Sequence, residues 1–241
     1  SGSLLHIGKI GSFKFLPDRK KNSHKGSYGK ILMITGSKGM SGAAYLSARA
    51  AYISGGGLVQ IYTEESNRTI LQQLLPEAIV STYTEYEEEK LQSLLKWADV
   101  ICIGCGLGKS RTAGQILSYL MKYAEVPCVI DADGLNLLAD HMELLPKEKK
   151  PFVLTPHMKE MAGLLGCTIP ELGKNRFAAL KRIYRQLWCC LCTEGCTYAC
   201  GRKRPADVSE YCWKQCDGKG RFRRCACRSD HRASGAAYES V

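Results

Sequence analysis

The closing stretch of this chain lacks the residues from which a folded core is made. From Trp188 to Val241 there is no Ile or Met, one Leu (Leu191) and two Val (Val208 and Val241). A core forms by removing aliphatic area from water, at about 25 cal/mol per Å², and this stretch has almost none to remove. Long apolar runs are missing as well. No segment has the length of a membrane span, and no basic-then-apolar leader opens the chain. The expectation is a soluble, cytoplasmic protein with no membrane partner. Basic stripes interleaved with aromatics are also absent: the net charge of +11 is scattered. Nucleic acid is therefore not an expected partner, whereas small anionic molecules such as nucleotides suit that charge.

What is abundant in the closing stretch is cysteine. Nine of the thirteen Cys fall after Trp188, beginning with Cys189, Cys190 and Cys192. Up to Leu187 the composition is that of an α/β enzyme, and its four Cys (Cys102, Cys105, Cys128, Cys167) sit in or beside apolar runs, as buried thiols of a reducing compartment do. The change is abrupt, with no linker composition between the two regimes. The chain is accordingly divided into a domain at 1–187 and a Cys-rich tail at 188–241 that is expected to be disordered. The Ser-Gly-Ser start, without Met, reads as a fragment, a processed end or a piece of a longer chain.

Within 1–187 strand-like and helix-like runs alternate. Lys30–Thr35, Leu58–Tyr62, Ala78–Ser81, Val100–Ile103, Cys128–Ile130 and Phe152–Leu154 read as strands, and Ser41–Ser54, Glu87–Trp97 and Thr112–Tyr123 as helices. This order means βαβ units and a mostly parallel sheet. Ligands of such sheets bind beyond the carboxyl ends of the strands, and four polar or Gly-rich turns fall there: Gly36–Gly42, Gly104–Gly108, Asp131–Asn136 and Thr155–His157. Each is ambiguous alone. The Gly104-x-Gly106-x-Gly108 turn suits phosphate or carboxamide oxygens but is equally common as a structural turn. Asp131 and Asp133 suit a metal-nucleotide or a base, yet Asp133 equally suits the cap of a Gly134–Ala139 helix. His157 suits a donor to substrate, or a residue that satisfies local hydrogen bonds at a helix start.

The order of the motifs is more specific than any one of them. His24–Gly29 (HKGSYG), Gly36-Ser37 through Met40–Ala44, Gly55–Val59 (GGGLV), Pro76-Glu77, Ile103–Gly108 (IGCGLG), Ile130–Asn136 (IDADGLN) and Leu154–Glu160 (LTPHMKE) follow one another. This series resembles the ADP/ATP-dependent NAD(P)H-hydrate dehydratases over roughly residues 15 to 180. The resemblance implies a ribokinase-like three-layer α/β/α sandwich, incomplete at its carboxyl end. It implies repair of (S)-NAD(P)H hydrate to NAD(P)H, driven by ADP or ATP with Mg2+. By the same likeness Ala43, Gly106 and His157 would contact the hydrated cofactor, with Asp131 and Asn136 on the same rim. A homo-oligomer, and a fused or partner epimerase domain, are the protein partners the likeness allows.

The resemblance stops short of the nucleotide half. After the TPH-x-x-E segment the family has a strand ending in a K-[GD]-A-x-T-like turn for the adenine nucleotide. Later it has G-N-x-x-M-A-x-x-G-[ST]-G-D, with the anion-hole glycines and the catalytic Asp. Neither string is present. Read one base later, with permitted codons, Trp188–Thr197 becomes GVVFVQKDAR and Trp213–Arg232 becomes GNNVMAKAGSGDVLAGVITG. Part of this is forced by the code, since Trp213 followed by Lys214 must give Gly. The tail therefore reads as out of frame, with the slip between Ala179 and Arg185. The glycines would then fall at Arg221 and Arg223 and the catalytic Asp at Arg224, leaving no catalytic or nucleotide-binding residue in frame and a chain that is inactive and poorly stable.

Three other readings compete. The tail as a real module would hold zinc or disulfides through Cys189-x-x-Cys192, Cys196, Cys200, Cys212, Cys216 and Cys225-x-Cys227, but the spacings do not give two C-x-x-C knuckles. A small-molecule kinase of the same fold, acting on a vitamin-like alcohol, shares the architecture. A non-catalytic remnant that binds cofactor or metal is the third.

Overall fold

The computed structural model describes residues 22–145, 150, 152–174, 190–193, 197–201, 208–217 and 221–224. The short apolar segment β1 (Lys30–Ile34) is the hub. It pairs in parallel with β2 (Leu58–Glu64) on one side and with β4 (Val100–Ile103) on the other. Beyond β2 lies β3 (Ile79–Tyr83), and beyond β4 lie β5 (Cys128–Ile130) and β6 (Phe152–Leu154), all parallel. Winding thus runs from β1 outward through β2 and β3, then returns to the other flank of β1 at β4. That reversal is a topological switch point, where the loops after two neighbouring strands diverge and leave a crevice.

Strand alternation divides the sheet between two cores. Leu32, Ile34, Ile101, Ile103, Cys128, Ile130, Phe152 and Leu154 face one buried cluster, into which α3 (Glu88–Trp97), α4 (Arg111–Tyr123), α5 (Ala132–Asp140) and α6 (Met158–Leu165) send their leucines and Ile116. Met33, Val59 and Ile61 face the other, with Ala44 and Ala48 of α1 (Ser41–Ile53) and Leu71 of α2 (Arg68–Leu74). This is the three-layer ribokinase-like arrangement that the motif order implied. Cys102, Val129 and Val153, which by alternation share the second face, are only half-buried.

Boundaries move slightly from the sequence reading. α5 starts at Ala132, two residues ahead of Gly134, so Asp133 is inside the helix and Asp131 precedes it. α2, a short helix, was not expected, because seven residues are too few to display a helical period. A last short helix, α7 (Ile169–Lys174), follows α6.

In the tail the described residues lie in strands. Strands β7 (Cys190–Thr193), β8 (Thr197–Gly201), β9 (Val208–Asp217) and β10 (Arg221–Arg224) continue the sheet in the order β10-β9-β8-β7-β6. β7 joins β6 in parallel, and the others are antiparallel. The physical reason is that β6 would otherwise leave an open edge that any extended segment can pair with. The slip interval and the 187/188 boundary lie outside the described residues.

Candidate active site

The seven motifs separate onto opposite edges of the sheet. His24–Gly29, Gly55–Val59 and Pro76-Glu77 lie where strands begin. There a 3-10 turn at Lys25–Tyr28 is tied to β2 by Gly57 N donating to Tyr28 O (3.1 Å) and Leu58 N to Gly29 O (3.0 Å). Tyr52 Oη donates to Glu77 O (2.7 Å) on the same edge. These motifs hold strand starts together. The other four lie where β1, β4, β5 and β6 end, side by side in the sheet, and they form one rim.

The rim is knitted loop to loop. Gly36 N donates to Cys105 O (2.9 Å) and Gly104 N to Ile34 O (3.1 Å), joining the loops after β1 and β4 across the switch point. Gly106 (φ 64°) is buried so close to α1 that a Cβ on it would lie 2.6 Å from Ala43 Cβ, so the structure brings Ala43 and Gly106 together. The next link is Gly108 N donating to Asp133 Oδ2 (2.9 Å), and Asn136 Nδ2 reaches Asp133 Oδ1 (3.5 Å). Asp133 therefore fixes the Gly-rich loop. It does not cap the helix, which corrects one of the two roles open to it. Asp131, extended before α5 and with no capping bond of its own, accepts from Thr155 Oγ1 (2.8 Å) and from Cys105 Sγ (3.6 Å). It thereby spans the loops after β4, β5 and β6.

His157 is the N-cap of α6. Its Nδ1 accepts from Lys159 N (3.1 Å) and Glu160 N (3.2 Å), while Glu160, almost fully buried, accepts from His157 N (2.9 Å). Such reciprocal bonds satisfy the free N–H groups of a helix start. The His157 Nε2 is 3.1 Å from Glu160 Oε1. The local-hydrogen-bond role of His157 is thus occupied, and contact with a ligand would be additional to it.

Arg221, Arg223 and Arg224 do not join this rim. They belong to β10, the outermost strand, six strand spacings from β4, or about 29 Å at the usual interval. Among the described residues no group of three His, Cys, Asp or Glu stands ready for a metal ion.

Sequence reasoning missed the clamp beneath the first loop. Asn67 Nδ2 donates to Ser37 O (3.0 Å) and Thr63 Oγ1 (2.9 Å), and Thr63 Oγ1 donates to Gly36 O (3.1 Å), with Asn67 and Thr63 both buried. Nothing in one sequence marks this pair, because a polar residue four positions from another has no signature of burial. Beside it, Glu65 is bonded by Arg68 (2.7 Å) and by the buried Thr82 hydroxyl. These bonds, Arg68 first, hold its carboxyl down from the ordinary 4.5 to about 2. The folded value lies below the unfolded one, so the stabilisation is complete above pH ~4.5 and is lost as pH falls toward ~2. Glu65→Gln is expected to lower stability at neutral pH, where this contribution is complete, and to flatten the acid limb so that the two proteins converge toward pH ~2. Urea denaturation of both proteins between pH 5 and pH 2 measures it, and high salt should shrink the difference, since the pair is exposed.

Comparison with known proteins agrees with this geometry. Residues 31–197 match the carbohydrate-kinase-like family described as NAD(P)H-hydrate dehydratase. An ADP-dependent (S)-NAD(P)H-hydrate dehydratase of Lactiplantibacillus plantarum is 41% identical over 155 residues, covering 64% of this chain and 54% of the relative. A bifunctional NAD(P)H-hydrate repair enzyme of Coxiella burnetii is 39% identical, covering 70% of this chain and 33% of the relative. The chain thus spans between a third and about half of these relatives' length. Among solved structures, the ADP/ATP-dependent NAD(P)H-hydrate dehydratase of Bacillus subtilis, co-crystallized with ATP/Mg2+, superposes with a TM-score of 0.63 at 28% identity, covering 81% of this chain and 68% of that one. A ribokinase-like superfamily protein of Enterococcus faecalis gives 0.69 at 26% identity, with 82% and 68% covered.

Proposed function

Because this chain belongs to the NAD(P)H-hydrate dehydratase family, we propose that its body is the cofactor-binding part of a lyase that restores NAD(P)H from the (S)-hydrate, and that the chain as written does not complete the reaction. In that reaction the ring hydroxyl of the hydrate receives a phosphoryl group from ADP or ATP, and phosphate then leaves with a ring proton lost, so the double bond of the dihydronicotinamide returns. The cytoplasm, where free thiols persist, is the compartment we assign to it. The bifunctional relatives support a fused or partner epimerase domain, and an oligomer of the chain is compatible with the same reading.

One observation carries the proposal: four of the ordered motifs end on one rim at the switch point, with Gly106 against Ala43 and Asp131 bridging three loops. That crevice is lined by small residues, which lets a flat ring approach closely. Ala43, Gly106, Asp131, Asn136 and His157 are the residues we assign to the hydrated nicotinamide. The adenine nucleotide and its Mg2+ do not fit in the same way. The positions that the motif order reserves for their anion hole carry Arg221 and Arg223, and Arg224 stands where a carboxylate is needed.

Calorimetric titration tests both halves of the reading. NADPH is expected to bind and ADP with Mg2+ is not. Ala43→Leu, which keeps α1 helical, should weaken NADPH by about 10–100-fold, the range that a few methylenes in a fitted pocket command. Equal affinity of Ala43→Leu and the parent would remove the rim from consideration. Tight ADP binding would remove the account of the tail.

A further inference from the structure

One apolar side chain stands open to solvent on the rim. Among the described residues of the loops after β1, β4, β5 and β6, Met40 alone is a large hydrophobic left exposed, at 48%, whereas Leu107 and Leu135 nearby are buried. The other methionines of the chain are buried or half-buried. Met40 also breaks a local rule. It precedes the first turn of α1, where Ser, Thr, Asp or Asn would offer an oxygen to the free N–H groups, and no side chain caps that helix. The Met40 side chain folds over the Gly-rich loop instead. Its Cβ and Cε lie 3.2 and 3.5 Å from the place a Cβ on Gly106 would take, next to Ala43. We infer that Met40 is a specificity-determining residue of the crevice, whose thioether packs against the apolar face of the nicotinamide ring.

This role rests on the reading of the rim as the nicotinamide site and adds the group that grips the ring. Gly106 and Ala43 let a ring come close but have little area to hold it. Affinity for a flat, weakly polar ring comes from apolar area removed from water, and Met40 has that area to give. The polar side chains of the rim are engaged with one another: Asp131 with Thr155 and Cys105, Asp133 with Asn136 and with Gly108 N. Methionine suits the task physically. Its unbranched chain rotates aside as a ring enters, and its polarisable sulfur makes favourable contacts with ring systems. The backbone beneath it is held meanwhile, since Met40 N donates to Ser37 O (2.8 Å) and Ala43 N to Met40 O (3.2 Å).

Calorimetry with NADPH on the full chain compares Met40→Leu and Met40→Ser with the parent. Met40→Leu keeps the apolar area and should hold the affinity within about threefold, while Met40→Ser should lose about 10–100-fold. Both should melt within about 2 °C of the parent, because the side chain is exposed and caps nothing. Peroxide footprinting reads the contact without any substitution. Hydrogen peroxide transfers one oxygen to the exposed thioether and leaves as water, and trypsin releases the residue in the peptide Gly39–Arg49. NADPH at about ten times its Kd should slow that oxidation about tenfold, and ADP-ribose, which has no nicotinamide ring, should not slow it. A parent that binds no NADPH would overturn this role together with the rim. A parent that binds NADPH would overturn this role alone if Met40→Ser bound it equally, if Met40→Leu were as weak as Met40→Ser, or if Met40 oxidised no slower with NADPH than with ADP-ribose.

Discussion

Purified as written, the chain is expected to give no turnover of hydrated NADH with ADP or ATP, and the same gene read one base later from between Ala179 and Arg185 is expected to restore it. The size of the effect follows from what the tail withholds. A positioned general base contributes about 10²–10⁴-fold, and a single donor of an anion hole about 10²–10³-fold. Losing both places the rate roughly 10⁴–10⁷-fold down, beneath a spectrophotometric assay at 340 nm, the usual NADH band. A guanidinium at Arg224 cannot take the hydroxyl proton, and β10 stands at the far edge of the sheet from the rim. Arg224→Asp alone should therefore rescue nothing, because it supplies a carboxylate in the wrong strand. Turnover by the unaltered 241-residue chain would end the proposal, and so would a frame-restored protein that folds yet stays silent.

The second large effect is on stability. Gly104→Ala is expected to destabilise the chain by about 4 kcal/mol, combining a backbone forced into a region that L side chains avoid, about 1–3 kcal/mol, with a similar steric cost. The steric part is severe because a Cβ at Gly104 would lie 1.9 Å from Asp131 O and 2.7 Å from Gly134 N, both main-chain atoms that cannot rotate aside. At about 2–4 °C per kcal/mol for a chain of this size, the midpoint should fall by about 8–16 °C. Gly39 provides the control. It too has positive φ (81°), but nothing lies within 4 Å of the Cβ position, so Gly39→Ala should lose only about 1 kcal/mol. Thermal melts followed by circular dichroism compare the two, and equal losses would mean that the loops after β4 and β5 are not packed as described.

Much of the body was legible in one dimension because its signals are local. KILMI, VICI and CVI are short apolar runs closed by glycine or aspartate, and the helices between them carry their period in their leucines, so strands, order and the rim are legible in the sequence. The contacts among rim residues could not. That Asp133 bonds Gly108 N rather than capping α5, and that His157 closes a capping box with Glu160, depend on which backbone groups come within 3 Å after folding. The Asn67–Thr63 clamp joins residues to a loop some thirty positions earlier, a distance that no periodicity spans. The tail was harder for a different reason. Its composition argues against a core but says little about pairing, because the backbone N–H and C=O groups that make strands are the same in every residue except proline.

The amino-acid sequence alone determined the parallel α/β plan, the family and the order of the motifs, since apolar period and glycine placement act between near neighbours. Tertiary structure alone decided which motifs serve the rim and which only anchor strand starts, and it decided that Asp131 bridges the loops after β4, β5 and β6. Those outcomes depend on the chirality of crossovers and on one left-handed glycine, which act only once the strands lie side by side.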